Sequence, residues 1–398
     1  MSPSILQLQS LGLQDVYLTK DPQINIFKYT YYRYVNFATD IAKLPLNDSA
    51  AFNKRMTCNI PKKGHLLSKM YLHLQLPKLQ KRSGEYACWT DTLGYAIFSD
   101  PIELEIGGVI VDRIYPQFMD IWEEFKTGNT DFGKNLMVLR SDVPSATKEN
   151  ASRVTDLMIP LDFWFTKHYS SALPILSMFS QDIKIHFKLR DFSMVINYDG
   201  LQPYSVPIIE SNVYAEYIFL DDVILKQFKD QKHMYIMEQV QFHETEFINT
   251  GTTNFNTSIK FNHPVKELIF CLADVNSIEN NNYFYYSNST NNNPLLKEAA
   301  LLLDGKRRFD YLPEFYFRCM FPQATHKYVP LRHIYSIPFS IRPEDNQPTG
   351  SLNMSRFNDI TLSLKMPQNN PDCFLYVYAL SYNVLIIENG VLSIEFAT

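Results

Sequence analysis

Short segments in which apolar and polar residues alternate recur along this chain of 398 residues. The clearest one, residues 102–106 (IELEI), is followed by Gly107-Gly108 and by a second apolar segment over residues 109–114. Successive side chains of a β-strand point to opposite faces of the sheet, and a Gly-Gly pair favours a tight turn. The sequence therefore predicts a β-hairpin here, and the recurrence of the pattern favours a fold built from antiparallel sheets.

The same reasoning predicts the secondary structure of most of the chain. Further strands are predicted over residues 16–18, 24–34, 55–60, 65–77, 154–165, 183–189, 213–220, 235–247, 254–261, 265–272, 300–303, 333–341, 360–366, 374–387 and 392–396. A helix is predicted from Pro116 to Gly128, because apolar residues from Phe118 to Phe125 recur at helical spacing. A second, short helix is predicted after Asp221-Asp222. Residues 78–100, 128–152 and 276–293 are predicted to be loops.

Composition supports a β-rich protein with large packed cores. Hydrophobic residues make up 45% of the chain, and the 28 Phe and 25 Tyr favour strands, where flat side chains pack well. The net charge of −5 lacks the basic excess of nucleic-acid-binding proteins, so no direct nucleic-acid binding is expected. The five cysteines are widely spaced without a Cys-x-x-Cys motif, which favours free thiols in a reducing compartment. We expect neither a signal peptide nor a membrane span.

The two halves of the chain repeat one another. Gly107 follows a predicted strand as Gly305 does, and Asp182 opens a predicted strand as Asp359 does. The paired positions are about 180 to 200 residues apart, which is the usual size of one domain. With about eight strands in each half, the chain is predicted to be all-β, with two consecutive jelly-roll β-sandwich domains (a double jelly roll) and a few short helices. A sandwich of another topology would give nearly the same pattern.

Several segments are specific enough to suggest a family. They are residues 12–19 (GLQDVYLT), 22–24 (PQI), 31–37 (YYRYVNF), 214–221 (YAEYIFLD), 238–241 (EQVQ), 348–356 (PTGSLNMSR) and 382–385 (YNVL). In this order and from beginning to end, they resemble the major capsid proteins of nucleocytoplasmic large DNA viruses. The chain is short for that family, so its outer loops are expected to be trimmed.

The resemblance implies a structural virion protein and not an enzyme. Its domains are expected to be an N-terminal arm over residues 1–22, a first jelly roll over 23–213, a linking strand and helix over 214–232, and a second jelly roll over 233–398. Three copies would form a pseudo-hexagonal capsomer of an icosahedral shell, assembled in the host cytoplasm. The partners of this homotrimer would be neighbouring capsomers, minor capsid proteins and, through the arm, an inner membrane layer.

The sequence predicts no catalytic, cofactor-binding or metal-binding residue. Residues 243–246 (HETE) begin like a zinc-protease motif but lack its second histidine, and Cys319, His326 and His333 match no usual metal-ligand spacing. Glu103 and Glu105 share one strand face, as catalytic carboxylates do, but they are interpreted as the polar side of an alternating strand. We interpret Trp122 and Phe125 as a helix face packed on a sheet.

The loop at residues 276–293 is the strongest candidate for recognition, because it holds eight asparagines and a Tyr-Phe-Tyr-Tyr run in eighteen positions. Two alternatives to a major capsid protein remain open at this point. One is a minor capsid or membrane-scaffold paralogue of the same fold. The other, from a different class, is a carbohydrate-binding or hydrolytic protein built on two jelly rolls.

Overall fold

A computed structural model describes residues 2–23, 27, 29, 31–127, 137–140, 151–230 and 232–396 of the chain. It divides into two compact units, residues 1–37 and residues 38–398. In the first unit, helices cover Pro3–Gln9 and Val16–Thr19, and none of the described side chains is buried.

The prediction of a strand over residues 16–18 is therefore wrong. The amide of Thr19 donates to the carbonyl of Asp15 at 2.9 Å, and the amide of Lys20 donates to the carbonyl of Val16 at 3.0 Å. These local bonds close a helical turn, whereas a strand needs a neighbouring strand to pair with. The predicted strand over 24–34 lies partly outside the described residues, and the described Tyr31 and Tyr34 are exposed and outside any strand.

Among the residues that the structure describes, ten strands lie in the first half of the chain. They are β1 (Phe37–Pro45), β2 (Arg55–Ile60), β3 (Leu66–Leu76), β4 (Ala87–Trp89), β5 (Ile102–Ile106), β6 (Val109–Ile114), β7 (Thr155–Pro160), β8 (Ile183–Lys188), β9 (Ile196–Tyr198) and β10 (Glu210–Leu220). They form one sheet in the order β1-β10-β3-β7 and a second sheet in the order β2-β8-β5-β6. Strands β4 and β9 pair separately as a short ribbon.

The second half contains eleven strands. They are β11 (His233–Ile248), β12 (Asn254–Ser258), β13 (Pro264–Asp274), β14 (Glu298–Leu303), β15 (Lys306–Arg307), β16 (Leu312–Pro313), β17 (Ile334–Pro338), β18 (Leu352–Asn353), β19 (Ile360–Lys365), β20 (Cys373–Glu388) and β21 (Val391–Ile394). One sheet has the order β11-β20-β13-β17, with β18 beside β13 and β21 beside β20. The other has the order β12-β19-β14-β15, with β16 beside β14.

The two halves have the same topology. If the eight principal strands of each half are numbered along the chain, both halves give one sheet of strands 1-8-3-6 and one of strands 2-7-4-5. This interleaving of two four-stranded antiparallel sheets is the jelly-roll arrangement. The predicted fold class is confirmed, and the two halves are called the first and second jelly rolls below.

Strand direction places the long connections at one end of each jelly roll. In the first, Gln75 near the end of β3 pairs with Glu210 at the start of β10, and Leu76 pairs with Thr155 at the start of β7. The connections over residues 77–101 and 189–209, together with residues 151–154 before β7, therefore meet at one end. In the second, Asp274 at the end of β13 pairs with Cys373 at the start of β20, so the connection over 275–297 has the equivalent place.

The helices and helical turns of the second unit lie in the connections between strands. The α-helices of the second unit include Leu93–Ala96, Pro116–Thr127, Asp222–Asp230, Val275–Glu279 and Phe321–Thr325. Single turns of 3-10 helix cover Trp164–Thr166, Tyr169–Ser171, Ile175–Ser177, Phe192–Met194 and Met354–Arg356, and a π-helical turn covers Tyr316–Met320. Among the described residues, no helix has the length and apolar character needed to cross a membrane.

Both predicted helices of this unit are confirmed, but two predicted loops contain regular structure. Residues 78–100 hold β4 and the helix Leu93–Ala96, and residues 276–293 hold most of the helix Val275–Glu279. The predicted loop over 128–152 lies mostly outside the described residues. Strand β10 continues across residues 213 and 214 and pairs with β3, so the segment expected to link the jelly rolls supplies the last strand of the first.

The apolar core is shared between the jelly rolls. One cluster of buried side chains lies within the second jelly roll. The larger cluster fills the first jelly roll and includes side chains of the second, namely Met237, Ile269, Cys271, Ala273, Phe284, Tyr286, Ile334, Tyr378, Leu380, Leu385, Ile387 and Leu392. Burial of this many apolar side chains across the boundary makes the two jelly rolls one packed body.

Candidate functional site: the interface between the jelly rolls

The helix Pro116–Thr127 of the first jelly roll packs its apolar face against the second. The ring of Phe118 lies 5.5 Å from that of Tyr378, and the ring of Phe125 stacks on the imidazole of His326 at 4.4 Å. The ring of Trp122 meets the same imidazole edge-on at 5.8 Å. The apolar helical face predicted from the sequence is confirmed, and its partner is the other jelly roll.

Two carboxylates on this helix are buried and bind an arginine from the second jelly roll. Arg332 Nη1 lies 2.9 Å from Asp120 Oδ2, and Arg332 Nε lies 3.3 Å from Glu124 Oε1. Arg140 from the first jelly roll also pairs with Glu124, and Asp91 lies 3.5 Å from Arg332 Nη2. Burial raises the pKa of Glu124, although both arginines oppose the shift. The cluster therefore joins the two jelly rolls through buried charges beside the apolar face of the helix.

His326 forms a second polar contact, next to the rings of Trp122 and Phe125 on the helix Pro116–Thr127. Its Nε2 lies 2.7 Å from Glu267 Oε1 and its Nδ1 lies 3.0 Å from Glu344 Oε1. Burial of the ring disfavours its charged form, but the two carboxylates outweigh burial and raise the pKa of His326 to about 9. The stacked ring of Phe125 therefore lies against a protonated imidazole, which is a favourable cation–π arrangement.

A third buried group links β11 to the first jelly roll. Glu238 on β11 accepts from Lys167 Nζ at 2.8 Å and also from Lys266. Burial would raise the pKa of Glu238, but the two lysines together lower it to about 2. Nearby, burial raises the pKa of Asp112 to about 7, although the charge of Lys167 opposes this.

Neutral hydrogen bonds and one glycine complete the interface. Gln181 of the first jelly roll accepts from the amide of Leu392 at 2.6 Å and donates to its carbonyl at 3.3 Å. Gln239 donates to the carbonyl of Val111 at 3.1 Å. Gly390 has φ of +84°, and a Cβ there would lie 2.5 Å from the ring of Phe179. A larger residue at Gly390 would therefore push the two jelly rolls apart.

The Asn-rich segment contributes to this interface instead of forming a free loop. The side-chain amide of Asn281 donates to the carbonyl of Ser193 at 3.0 Å and to that of Ile196 at 2.9 Å. The hydroxyl of Tyr283 donates to the carbonyl of Met194 at 2.9 Å. Tyr286 is buried in the shared core. The expectation of an exposed loop is thus wrong for part of the segment, because its large rings find apolar surface on the first jelly roll.

The paired glutamates considered from the sequence lie on a row of charges across β2, β5, β6 and β8. Glu103 binds Arg55 at 2.7 Å and Arg113 at 3.1 Å, and Glu105 binds His186 at 2.9 Å and Lys184 at 3.4 Å. Each carboxylate therefore has basic side chains as neighbours across the sheet, as expected for the polar face of a strand.

The histidine candidates are held by separate partners. His243 Nε2 lies 2.9 Å from Glu246 Oε1 on β11, whereas His333 Nδ1 lies 2.7 Å from the hydroxyl of Ser287. His326 lies between Glu267 and Glu344, as described above. Within the part of the chain that the structure describes, no group of three or more His, Cys, Asp or Glu side chains is placed to hold a metal ion.

Sequence reasoning missed the charged residues of the interface. The sequence gives one sign of this cluster, at Asp120 and Glu124. Both carboxylates interrupt the apolar helical segment, and they lie four residues apart, on the same side of the helix. Their partner Arg332 is 212 residues from Asp120 in the chain, and no periodicity connects the two positions.

Comparison with known proteins assigns the two halves to two models of one viral protein family. Residues 25–221 match the model described as "Major capsid protein N-terminus", and residues 225–393 match "Large eukaryotic DNA virus major capsid protein".

Relatives matched over nearly their whole length give the same family, and a solved structure has the same fold. The chain is 29% identical over 418 residues to a major capsid protein of Pyramimonas orientalis virus, with 98% of each covered. It is 26% identical over 449 residues to the major capsid protein of Paramecium bursaria Chlorella virus 1, with 100% of each covered. The structure of the PBCV-1 virus capsid superposes with a TM-score of 0.81 at 24% identity, covering 94% of this chain and 100% of that one.

Proposed function

This chain belongs to the major capsid protein family of large eukaryotic DNA viruses, and we propose that three copies of it form a pseudo-hexagonal capsomer of an icosahedral shell. The family consists of structural shell proteins, so the chain is a component of the virion capsid and not an enzyme. Each copy supplies two jelly rolls of the same topology. A threefold ring of such copies presents six similar units, which can tile a flat sheet.

The observation that carries this proposal is the buried interface between the two jelly rolls. A capsomer edge can be regular only if the two domains of each copy keep a fixed relation. Arg332, His326 and Glu238 each join elements of both jelly rolls through buried contacts. Separating the domains would also expose the apolar side chains that they share, so the arrangement resists separation.

The solution mass of the recombinant protein tests the trimer. We expect light scattering behind size exclusion to give about 139 kDa, three times the chain mass of 46.4 kDa. The mass should stay constant across a dilution series, because shell subunits must remain assembled before they join the lattice. A monomer at every concentration would contradict the trimer, and would move the chain toward a minor capsid or membrane-scaffold role.

We further assign residues 1–22 as an arm that contacts neighbouring capsomers, minor capsid proteins or an inner membrane layer. Its helix Pro3–Gln9 has no buried residue, and Ile5, Leu6 and Leu8 are exposed. Exposed apolar side chains close together are a usual sign of an interaction surface. Deletion of residues 1–15 should leave a folded trimer that assembles poorly into larger particles. Loss of the trimer itself would show that the arm acts within the capsomer instead.

The proposal places assembly in the host cytoplasm. All five cysteines are free, and four of them are buried. Free thiols of this kind suit the reducing cytoplasm. For domain limits we propose an arm over residues 1–22, a first jelly roll over 23–213, a linking strand and helix over 214–232, and a second jelly roll over 233–398. In the structure, β10 ends at Leu220 and pairs with β3 of the first jelly roll.

A further inference from the structure

A large cleft opens where the connections of the two jelly rolls meet. Its volume is about 1180 Å³. One wall consists of the β4–β9 ribbon of the first jelly roll, and the other consists of residues 279–292 and 331–333 of the second. Binding pockets of proteins occur preferentially at domain boundaries, and this cleft is large enough for several linked rings.

Aromatic rings and side-chain amides dominate the lining. Tyr198 on β9 and Tyr285 lie on opposite walls, and Asn280, Asn282 and Asn292 lie beside Tyr285. The hydroxyl of Tyr285 donates to Asn292 Oδ1 at 2.9 Å, which directs the donor end of that amide elsewhere. Tyrosine offers a flat apolar face with a polar edge, and asparagine both donates and accepts hydrogen bonds.

The walls are held in place before any ligand arrives. Strands β4 and β9 pair over three residues, and Asn281 donates to the carbonyls of Ser193 and Ile196. The guanidinium of Arg190 stacks on the ring of Tyr283 at 4.0 Å. A cleft whose walls are already bonded to each other loses little conformational entropy when it binds.

The charges of the cleft are largely neutralised within the protein. Among the described residues that line it, Arg332 is the single lysine or arginine, and it is bound by Asp120, Glu124 and Asp91. Burial, helped by the charge of Arg318, lowers the pKa of His333 to about 4, so this side chain is neutral at pH 7. A phosphate or carboxylate ligand would find no cation to pair with, whereas a neutral polar ligand meets no penalty.

From these features we propose that the cleft binds a neutral oligosaccharide. Sugar rings place C–H groups on their faces, which pack on tyrosine rings, and hydroxyls around their edges, which pair with asparagine amides. Two further donors line the cleft without a protein acceptor, Trp89 Nε1 and the hydroxyl of Tyr286. Both donor atoms are buried from solvent, so a small side-chain movement on binding would let a sugar hydroxyl accept a hydrogen bond from them.

Titration of the full-length recombinant protein with cellohexaose, chitohexaose and mannohexaose tests the proposal. We expect at least one of them to bind with a Kd between about 10 μM and 1 mM by calorimetry, and to change the tryptophan fluorescence through Trp89. Tyr198→Ala should weaken binding about tenfold, because truncating an aromatic contact costs on the order of 1.4 kcal/mol. Asn282→Ala should weaken it to a smaller extent.

Tyr316→Ala is the matched control, since Tyr316 lies outside the cleft and its exposed fraction of 37% is close to the 38% of Tyr198. It should bind like the parent protein, and all variants should keep the parent melting temperature. Failure of all three sugars to bind at millimolar concentration would overturn the proposal, as would equal binding by Tyr198→Ala and Tyr316→Ala. The result is independent of the capsomer proposal, because the mass of the particle is measured separately.

Discussion

The buried charges between the jelly rolls and the exposed charges across β5 have nearly the same geometry. Arg332 lies 2.9 Å from Asp120, and Arg55 lies 2.7 Å from Glu103. Their surroundings differ at one partner of each pair, because the side chain of Asp120 is 0% exposed whereas that of Arg55 is 63% exposed. The other two partners are alike, with Arg332 20% and Glu103 18% exposed. Water screens the charge of Arg55, whereas Asp120 depends on the protein groups of its cluster, Arg332 and Arg140.

This difference teaches which polar contacts determine the architecture. Removing one partner of an exposed pair leaves a charge that water can solvate, so its effect on stability is small. Removing one partner of a buried pair leaves an uncompensated charge inside the protein. The interface charges should therefore control whether the jelly rolls stay together, and the row of charges on β5 should not.

Arg332→Ala should produce the largest loss of stability. It leaves Asp120 and Glu124 in the interface with Arg140 as their remaining cation in the cluster. We expect a loss of roughly 3–5 kcal/mol in the free energy of unfolding, measured by urea denaturation. Arg307→Ala, which removes an exposed arginine 3.5 Å from Asp310, should change it by less than about 1 kcal/mol. Equal effects of the two variants would show that the interface cluster is screened like the surface.

Glu238→Gln should cost about 3 kcal/mol, because it leaves two lysines without their shared carboxylate. Glu298→Gln is the matched control, since both glutamates lie 2.8 Å from a lysine but Glu298 is more exposed. The pKa of Glu238 is lowered to about 2, below its unfolded value, so its contribution is present above pH 4.5 and is lost as the pH falls toward 2. The free energies of unfolding of the parent protein and of Glu238→Gln should accordingly converge as the pH falls. Curves of unfolding free energy against pH that stay parallel would contradict the lowered pKa of Glu238.

His326 should make stability depend on alkaline pH. Its folded pKa of about 9 lies above the ordinary histidine value of 6.5, so its contribution is complete below pH 6.5 and is lost as the pH rises through 9. The free energies of unfolding of the parent protein and of His326→Gln should therefore approach each other between pH 6.5 and pH 9. Their difference should shrink by at most about 3 kcal/mol, because each unit of pKa shift is worth about 1.4 kcal/mol.

Glu344→Gln sharpens this test. It removes one of the two carboxylates that hold the protonated ring, so the alkaline loss of stability should move to lower pH. A parent protein whose difference from His326→Gln is flat from pH 6 to pH 10 would show that the imidazole is not charged in the fold.

Glu103→Ala should have the smallest effect. Its partners Arg55 and Arg113 are 63% and 48% exposed and remain solvated when the carboxylate is removed. The expected loss is less than about 1 kcal/mol at low salt and should vanish in about 1 M NaCl, where charges are screened within about 3 Å. A loss as large as that of Arg332→Ala would remove the distinction between the two groups of charges.

The sheets could be predicted from the sequence because strand formation leaves a local pattern. The alternation over residues 102–106 and the hairpin after it match β5 and β6, and the strand predicted over 55–60 matches β2. Strand β1 was missed because its first five residues are all exposed and show no alternation of buried and exposed side chains. Strands of two or three residues, such as β4 and β15, are too short to show any period.

The interface between the jelly rolls could not be predicted from the sequence, for a different reason. Asp120 and Arg332 are 212 residues apart, and their contact depends on how two complete domains pack. The Asn-rich segment shows the same limit, because its polar composition predicts an exposed loop. Its aromatic side chains nevertheless pack on the first jelly roll, where Phe284 and Tyr286 are buried.

Electron microscopy of the purified recombinant particle tests the central claim most directly. If three copies each hold two similar jelly rolls in a fixed relation, face-on class averages should show six lobes around a centre. The Arg332→Ala particle, where it folds, should show a less regular ring. Averages with two lobes, or with three lobes that do not resolve into pairs, would contradict a pseudo-hexagonal capsomer.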